Sequence, residues 1–146
     1  MDETRLSGTL GYLLGRVCKS HYFRARTLLE DLGLYRGQQF VLCALWKEEG
    51  ITHSELADRL GVHPTTVTNA VKRMERSGFV ERRPDLSDQR VSRVYLTDAG
   101  REIQGAVEQI WAQLEARTLE GFSAEEREML RGFLERIHEN LNEDEG

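Results

Sequence analysis

Long apolar runs are what this sequence most clearly lacks. The longest, Phe40 to Trp46, has seven residues, whereas a helix needs about 20 apolar residues to cross a bilayer. The Met1-Asp2-Glu3 start also shows none of the features of a secretory signal. We therefore predict a cytoplasmic protein that does not contact a membrane.

Cysteine is scarce as well, with two residues in 146. Cys18 and Cys43 both lie in apolar stretches with helical spacing, so reduced core thiols are favoured over a structural disulfide. Cys18 and His21 would share a helix face, but two ligands are too few for zinc and no further Cys/His pair has metal spacing. The sequence therefore predicts no metal site.

The motifs of common enzyme classes are missing too. The sequence has no Gly-rich phosphate loop, no nucleophile elbow and no acid and base paired in a recognisable frame. We expect the carboxylates from Glu120 to Glu145 to form a solvated surface with ion pairs such as Glu128 with Arg131. We predict that the protein is not an enzyme and uses no cofactor.

The net charge of −5 argues at first against nucleic acid as a partner. The distribution of charge reverses that argument. Residues 101–146 carry 5 basic and 12 acidic groups, a charge of −7, whereas residues 59–93 carry eight basic and four acidic groups, a charge of +4. A basic segment within an acidic chain indicates an anionic partner for that segment.

The hydrophobic spacing predicts one mostly helical unit with a small β-hairpin. Apolar residues three to four positions apart predict a long first helix from Leu6 to Leu32 and a second from about Arg36 to Glu48. A long helix is expected after Thr97, and a capping box from Ser123 to Glu126 begins the last helix.

The middle of the chain predicts two short helices joined by a tight turn. A capping box from Thr52 to Glu55 starts the first helix, and Gly61 ends it. Pro64 suits the first turn of the next helix, about Pro64 to Ser77. Its polar face could be ordinary solvated surface, but with the turn and a basic hairpin it predicts DNA contacts by Thr65, Thr66, Thr68, Asn69, Lys72, Arg73 and Arg76.

After Gly78 the apolar period changes from 3.6 to 2, which predicts a hairpin of Phe79 to Arg83 and Val91 to Leu96. A basic hairpin after two such helices makes a winged helix-turn-helix, whose tip can reach the adjacent minor groove. We expect Arg90 at that tip, oriented by Asp88. Arg82, Arg83 and Arg93 on the strands either keep the surface soluble or contact phosphate. The predicted DNA contacts of the wing are Arg82, Arg83, Asp88, Arg90 and Arg93.

These residues resemble the MarR-type transcriptional regulators. The wing pattern D-x-x-D-x-R stands at Asp85 to Arg90, and L-T-x-x-G stands at Leu96 to Gly100. Upstream, the resemblance rests on Glu55-Leu56-Ala57, Leu60-Gly61-Val62, Thr66-Val67-Thr68 and Met74 to Val80. The chain departs from the family pattern at Tyr35 and His63, where a helix cap is common. It also departs at Leu86 and Gln89, which affects the rigidity of the wing and one phosphate contact.

The resemblance implies a single domain over 1–146, with an N-terminal dimerisation helix at 5–33, a winged lobe at 34–97 and C-terminal dimerisation helices at 98–146. It implies a homodimer that binds double-stranded DNA at a palindromic operator, with repression the expected outcome. Many family members respond to phenolic ligands, antibiotics or oxidants, so the resemblance implies an effector as a further partner. Cys18 is either an oxidant sensor or a core residue. A protein-binding adaptor built on the same fold is the alternative class.

Overall fold

The computed structural model describes residues 3–35 and 37–142. This part of the chain is mostly helical with a small sheet, as predicted. Its elements are α1 Glu3–Ser7, α2 Leu10–Glu30, α3 Gln38–Lys47, β1 Ile51–Thr52, α4 His53–Leu60, α5 Pro64–Arg76, β2 Val80–Pro84, β3 Ser92–Leu96, α6 Asp98–Glu102, α7 Gln104–Thr118 and α8 Ala124–Asn142.

The first predicted helix is divided in the structure, so the prediction of one continuous helix from Leu6 to Leu32 is wrong. Thr9 takes an extended backbone, with φ −85° and ψ 151°, and its hydroxyl accepts a hydrogen bond from the Tyr12 amide. A side chain that satisfies a free amide starts a new helix at this point. The apolar spacing continues across the break, which is why periodicity alone misses it.

The start of α3 differs from the prediction in a similar way. The helix begins at Gln38, after Gly37 with φ +80°; Arg36, where the sequence placed its start, lies outside the described residues. Tyr35 has no hydroxyl near its backbone to act as a cap. Instead, Gly37 is the N-cap without a side-chain bond, and the Gln38 side chain accepts a hydrogen bond from the Tyr35 amide at 3.1 Å ahead of the helix.

The sheet has three antiparallel strands in the order β1-β3-β2. Strands β2 and β3 form the predicted hairpin, with a register that runs from Val80 opposite Leu96 to Pro84 opposite Ser92. Strand β1, which pairs Ile51 with Val94, is not predicted by the sequence. Two residues are too few to show a period of two.

The core of the lobe lies between α3, α4, α5 and the sheet. The predicted inward side of α5 is confirmed, since Val67, Val71 and Met74 are each no more than 1% exposed. Helix α4 contributes Leu56 and Ala57 to the same core. Helix α5 is thereby held with its opposite side toward solvent.

The chain forms two compact units, Met1–Ala112 and Gln113–Gly146. In the second unit the predicted capping box is present, because Ser123 and Glu126 each accept from the other's amide. Helix α8, which follows it, buries no residue. The long helix expected after Thr97 is divided at Ile103 into α6 and α7. The arrangement of 1–146 as one domain in three parts stays a prediction.

Both cysteines are free. Cys18 is exposed, so its predicted place in the core is wrong. It shares a side of α2 with Ala25 and Leu29, but α2 buries only these two residues of its second half. Cys43 is half-buried, and this burial raises the pKa of its thiol. None of the helices in residues 3–35 and 37–142 is long and apolar enough to span a membrane.

Candidate nucleic-acid interface

A tight turn joins α4 to α5. Gly61 ends α4 in the left-handed conformation with φ +64°, which favours glycine because it lacks a Cβ. His63 caps α5, and its Nδ1 accepts a hydrogen bond from the Thr65 amide at 3.2 Å. An imidazole therefore does what a serine hydroxyl commonly does, and accepting through Nδ1 leaves the ring hydrogen of neutral His63 on Nε2.

The outer side of α5 is a cationic surface without internal partners. Asn69, Lys72, Arg73 and Arg76 are exposed, and within the described residues their side chains form no hydrogen bond or ion pair. Thr65 and Thr66 lie exposed in the first turn of the same helix. Three uncompensated cations and one amide on a single helix match the chemistry of a major groove. We call these six residues the helix surface.

Thr68 differs from the other predicted residues of α5. It is half-buried, and its hydroxyl shares a hydrogen bond with His53 Nδ1 at 3.2 Å. His53 begins α4, so this bond joins the two helices on either side of the turn. The structure therefore places the Thr68 side chain between α4 and α5.

His53 is an unusual histidine because its Nε2 is buried and has no hydrogen-bond partner. Burial lowers the pKa of His53, and the nearby charge of Arg82 lowers it further. Glu75 acts in the opposite direction, and Lys72 acts with Arg82. Of these three charged neighbours, Glu75 and Lys72 lie on α5, and Arg82 lies on β2.

The wing tip is organised around Asp85. One oxygen of Asp85 accepts from the amides of Ser87 and Asp88 at 3.1 and 3.0 Å. The other accepts from Arg93 Nε at 2.6 Å, and Arg93 Nη1 donates to the Gly50 carbonyl at 2.7 Å. The pKa of Asp85 is lowered, mainly by its hydrogen bond with Arg93. Arg93 thus supports the wing from β3.

Arg90 projects from this tip. Its side chain is 90% exposed, and its Nε and Nη2 donate to the two carboxylate oxygens of Asp88 at 3.1 and 3.3 Å. This bond also lowers the pKa of Asp88. The predicted orientation of Arg90 by Asp88 is therefore present in the structure. Leu86 beside it is fully exposed.

The remaining wing arginines are engaged within the lobe. Arg83 forms an ion pair with Glu81, and its guanidinium lies 4.3 Å from the centre of the Tyr95 ring. Arg82 is bound by Glu75 of α5 through two side-chain hydrogen bonds. The structure thus leaves the cations of the helix surface without partners within the described residues and presents Arg90 to solvent on Asp88. Arg82 and Arg93 are less exposed and are held by Glu75 and Asp85.

Two organising residues are not among the predicted site residues. Asp85 has a recognisable local signal, since an Asp two residues before Ser87 is typical of a turn in which the side chain binds the following amides. Glu75 has a weaker signal. It is the one carboxylate on a cationic helix, seven positions before its partner, and only the packing of β2 on α5 brings the two together.

A cationic recognition helix with a wing is the fold of DNA-binding transcriptional regulators. The MarR family model matches residues 34–92. The HTH-type transcriptional regulator YdgJ of Bacillus subtilis (strain 168) is 31% identical over 110 residues, which are 75% of this chain and 67% of that protein. YybA from the same organism is 29% identical over 115 residues, 79% of this chain and 77% of that protein.

Among solved structures, a MarR variant from E. coli complexed with operator DNA has a TM-score of 0.82 and 28% identity, and covers 94% of this chain and 99% of that chain. SlyA, another transcriptional regulator, has a TM-score of 0.81 at 27% identity, and the match covers 91% of this chain and 94% of that chain. The chain belongs to the MarR family, and it is a DNA-binding transcriptional regulator, not an enzyme.

Proposed function

We propose that this chain, as a cytoplasmic homodimer, binds a palindromic operator and represses the gene beside it. The observation that carries the proposal is the helix surface on α5, where Lys72, Arg73 and Arg76 have no partner within the described residues. Unpaired cations on one helix are costly to bring together unless an anion neutralises them. The operator DNA bound by the similar E. coli MarR variant supports this choice of anion.

Each group of residues has a distinct role in this proposal. Asn69 bonds adenine and the three cations bond guanine or phosphate from the major groove. Thr65 and Thr66, at the start of α5, bond phosphates. Arg90 enters the adjacent minor groove, where a narrow A·T-rich segment concentrates negative potential.

The proposal is tested by selecting duplexes from a random library with purified protein and measuring the affinity of the selected fragment by fluorescence anisotropy. We expect a two-fold symmetric sequence and an affinity that falls steeply with salt, because bound cations release counterions from DNA. Absence of salt-dependent binding, together with an unenriched library, would contradict the proposal and favour a protein-binding adaptor.

Arg90 provides the first prediction about a single contact. Arg90→Ala should weaken binding and reduce the slope of log affinity against log salt by about 0.9, the value for one phosphate charge in B-DNA. The matched control is Arg131→Ala, which removes an exposed arginine that also pairs with a carboxylate, at 3.6 Å from Glu128. If Arg90→Ala leaves both affinity and slope at the control's values, the minor-groove role is wrong.

A homodimer accounts for the apolar side chains that the chain leaves exposed. On α2, Leu10, Leu13 and Val17 share one side and are 85%, 53% and 52% exposed. On α8, Met129, Phe133 and Ile137 are exposed at spacings of four residues. Contiguous apolar surfaces of this kind mark interaction sites, and a palindromic operator requires a partner with the same lobe, so we assign them to a second copy.

Release by an effector completes the proposed function. His21, Phe40 and Trp111 form a cluster of rings, with centroids 5.9 Å apart for His21 and Trp111 and 6.4 Å apart for Phe40 and Trp111. We expect these rings to contact a small aromatic ligand, and salicylate, a small aromatic acid, is the probe. Salicylate binding should raise the unfolding temperature of the protein and lower its affinity for DNA. The oxidant alternative is tested by treating the wild type and Cys18→Ser with cumene hydroperoxide, which should lower the DNA affinity of the wild type alone. If neither salicylate nor the hydroperoxide lowers the DNA affinity of the wild type, release by these two classes of effector is contradicted.

A further inference from the structure

Glu75 and Arg82 connect the recognition helix to the wing. Arg82 Nε donates to Glu75 Oε2 at 3.0 Å and Arg82 Nη2 donates to Glu75 Oε1 at 3.2 Å. The Arg82 amide donates to the same carboxylate at 3.3 Å. Two parallel side-chain bonds fix the relative orientation of the two groups as well as their distance. One carboxylate on α5 therefore holds both the backbone and the side chain of β2.

The pair spans the bend between the two elements. The chain turns at Gly78, which has φ +86°, and the Phe79 amide donates to the Met74 carbonyl at 3.0 Å. Beyond the bend, β2 and β3 continue to the wing tip without another side-chain bond to α5 among the described residues. Among the described residues, the Glu75–Arg82 pair is therefore the side-chain hydrogen bond that joins the recognition helix to the wing. It adds a directional restraint to the apolar packing of α5 on the sheet.

The pair also determines how much charge Arg82 offers to DNA. The hydrogen bond from Arg82 lowers the pKa of Glu75, so the carboxylate is charged at neutral pH and compensates the guanidinium. Arg90 is paired as well, but its side chain is 90% exposed, whereas that of Arg82 is 34% exposed. Arg82 is accordingly held against the lobe and Arg90 is presented to solvent.

We propose that Glu75 and Arg82 are positioning residues for DNA binding: they set the angle of the wing on the recognition helix, and Arg82 acts without contacting phosphate. This inference rests on the proposed DNA-binding function and revises the role expected for Arg82 from the sequence. It requires that the ion pair persists in the DNA complex.

Glu75→Gln distinguishes a positioning role of Arg82 from a phosphate contact, because the two roles predict opposite changes in DNA affinity. If Arg82 contacts phosphate, removal of the competing carboxylate frees a cation, so affinity rises and the salt dependence steepens. If the pair positions the wing, affinity falls by about three-fold or more, the loss expected from an ion pair worth roughly 0.7 kcal/mol, and the salt slope stays at the wild-type value. Tighter binding by Glu75→Gln would overturn the proposal.

Arg82→Gln and the double variant Glu75→Gln with Arg82→Gln complete a double-mutant cycle. We expect each single variant and the double variant to lose the same affinity, because each breaks the same restraint. Arg90→Ala is the control for a direct contact, with its reduced salt slope. A loss of about 0.9 from the slope in Arg82→Gln, in either background, would show a phosphate contact and overturn the proposal.

A spectroscopic measurement on the wild type removes any dependence on variant folding. The Nε–H resonances of Arg82 and Arg90 are followed by ¹H–¹⁵N NMR while the fragment selected by the protein is added. We expect the Arg82 resonance to remain near its free position while that of Arg90 shifts. Equal shifts would contradict the positioning role, whereas failure of the wild type to bind any selected duplex would instead contradict the proposed function.

Discussion

Gly100 lies in α6 against the backbone of Phe79, which connects α5 to β2. A Cβ at this position would overlap the carbonyl oxygen of Phe79 and approach Leu96 Cδ2 at 3.1 Å. Trp46 Nε1 also donates to the Gly100 carbonyl at 2.9 Å. Because backbone rather than a flexible side chain fills the space, the glycine of the L-T-x-x-G pattern is required by packing.

Gly100→Ala should therefore lower the free energy of unfolding by about 1–3 kcal/mol, the cost of overpacking a core position. Urea unfolding followed by circular dichroism measures it. Gly105→Ala is the matched control on α7, since nothing lies within 4 Å of its added Cβ, and it should be neutral or stabilising by about 0.5–1 kcal/mol. Equal stability of the two variants would contradict the packing argument.

His53 should make the stability of the lobe depend on pH. Its pKa in the folded chain lies below the ordinary value of 6.5 because of burial, so the unfolded chain binds a proton first as the pH falls. The free energy of unfolding should then decrease from about pH 6.5 downward until the folded-state pKa is passed. His53→Gln should flatten the dependence between pH 7 and 5, measured by urea unfolding at each pH.

The comparison for this pH effect is His138→Gln, which changes an exposed histidine on α8. It should keep the wild-type dependence on pH. If His53→Gln also keeps that dependence, the buried ring is not the group responsible.

The capping box of α4 shows what a local sequence signal contributes to an element. Thr52 Oγ1 accepts from the Glu55 amide and Glu55 Oε2 accepts from the Thr52 amide, each at 3.2 Å. Thr52→Ala should lower the free energy of unfolding by about 1 kcal/mol. Thr52→Ser retains the hydroxyl and should keep most of the stability in the same urea experiment; a matching loss in both variants would assign the effect to β1 instead.

The sequence pattern does not predict the two breaks that divide the first helix and the helix after Thr97. Thr9 interrupts an apolar pattern that runs on unchanged, because its side chain takes over a backbone hydrogen bond. Ile103 separates α6 from α7 while its backbone stays in the right-handed helical region, and nothing in the structure explains this second break. Hydrophobic spacing reports which side of a helix is buried, but it does not report a local exchange of backbone for side-chain hydrogen bonds. Capping boxes do report such an exchange, and those at Thr52 and Ser123 were predicted correctly.

The exposed apolar surface of α8 leads us to expect that the whole molecule is a dimer. Phe133 is 50% exposed in the single chain, and we expect a second copy to cover it. Phe133→Asp should reduce the mass measured by sedimentation from twice 16.8 kDa toward one chain, because a buried charge opposes association.

Loss of the dimer should also weaken DNA binding, because one lobe then engages one half-site. The control is Glu135→Lys, which alters charge about 200° around α8 from Phe133 and should leave the mass unchanged. A wild-type chain that sediments as a monomer, or a Phe133→Asp dimer, would contradict the assignment of this surface to a second copy.

The sequence by itself determined the helix-turn-helix, the wing and the cationic side of the recognition helix. The signals for these are local: caps, glycines, a change of period and neighbouring residues on one helix turn. The bond between Asp88 and Arg90 is also local, because the two residues are two positions apart and the bond forms within one turn of the wing.

Only the tertiary structure decided which wing arginines are held against the lobe and which is presented to solvent. Arg82, Arg90 and Arg93 look alike in the sequence, but Glu75 and Asp85 engage the first and the last across gaps of seven and eight residues. The same holds for His53, whose burial depends on α5 and β2 coming together. Partners set by packing are not encoded in spacing, because the distance between two side chains then depends on the angle between elements.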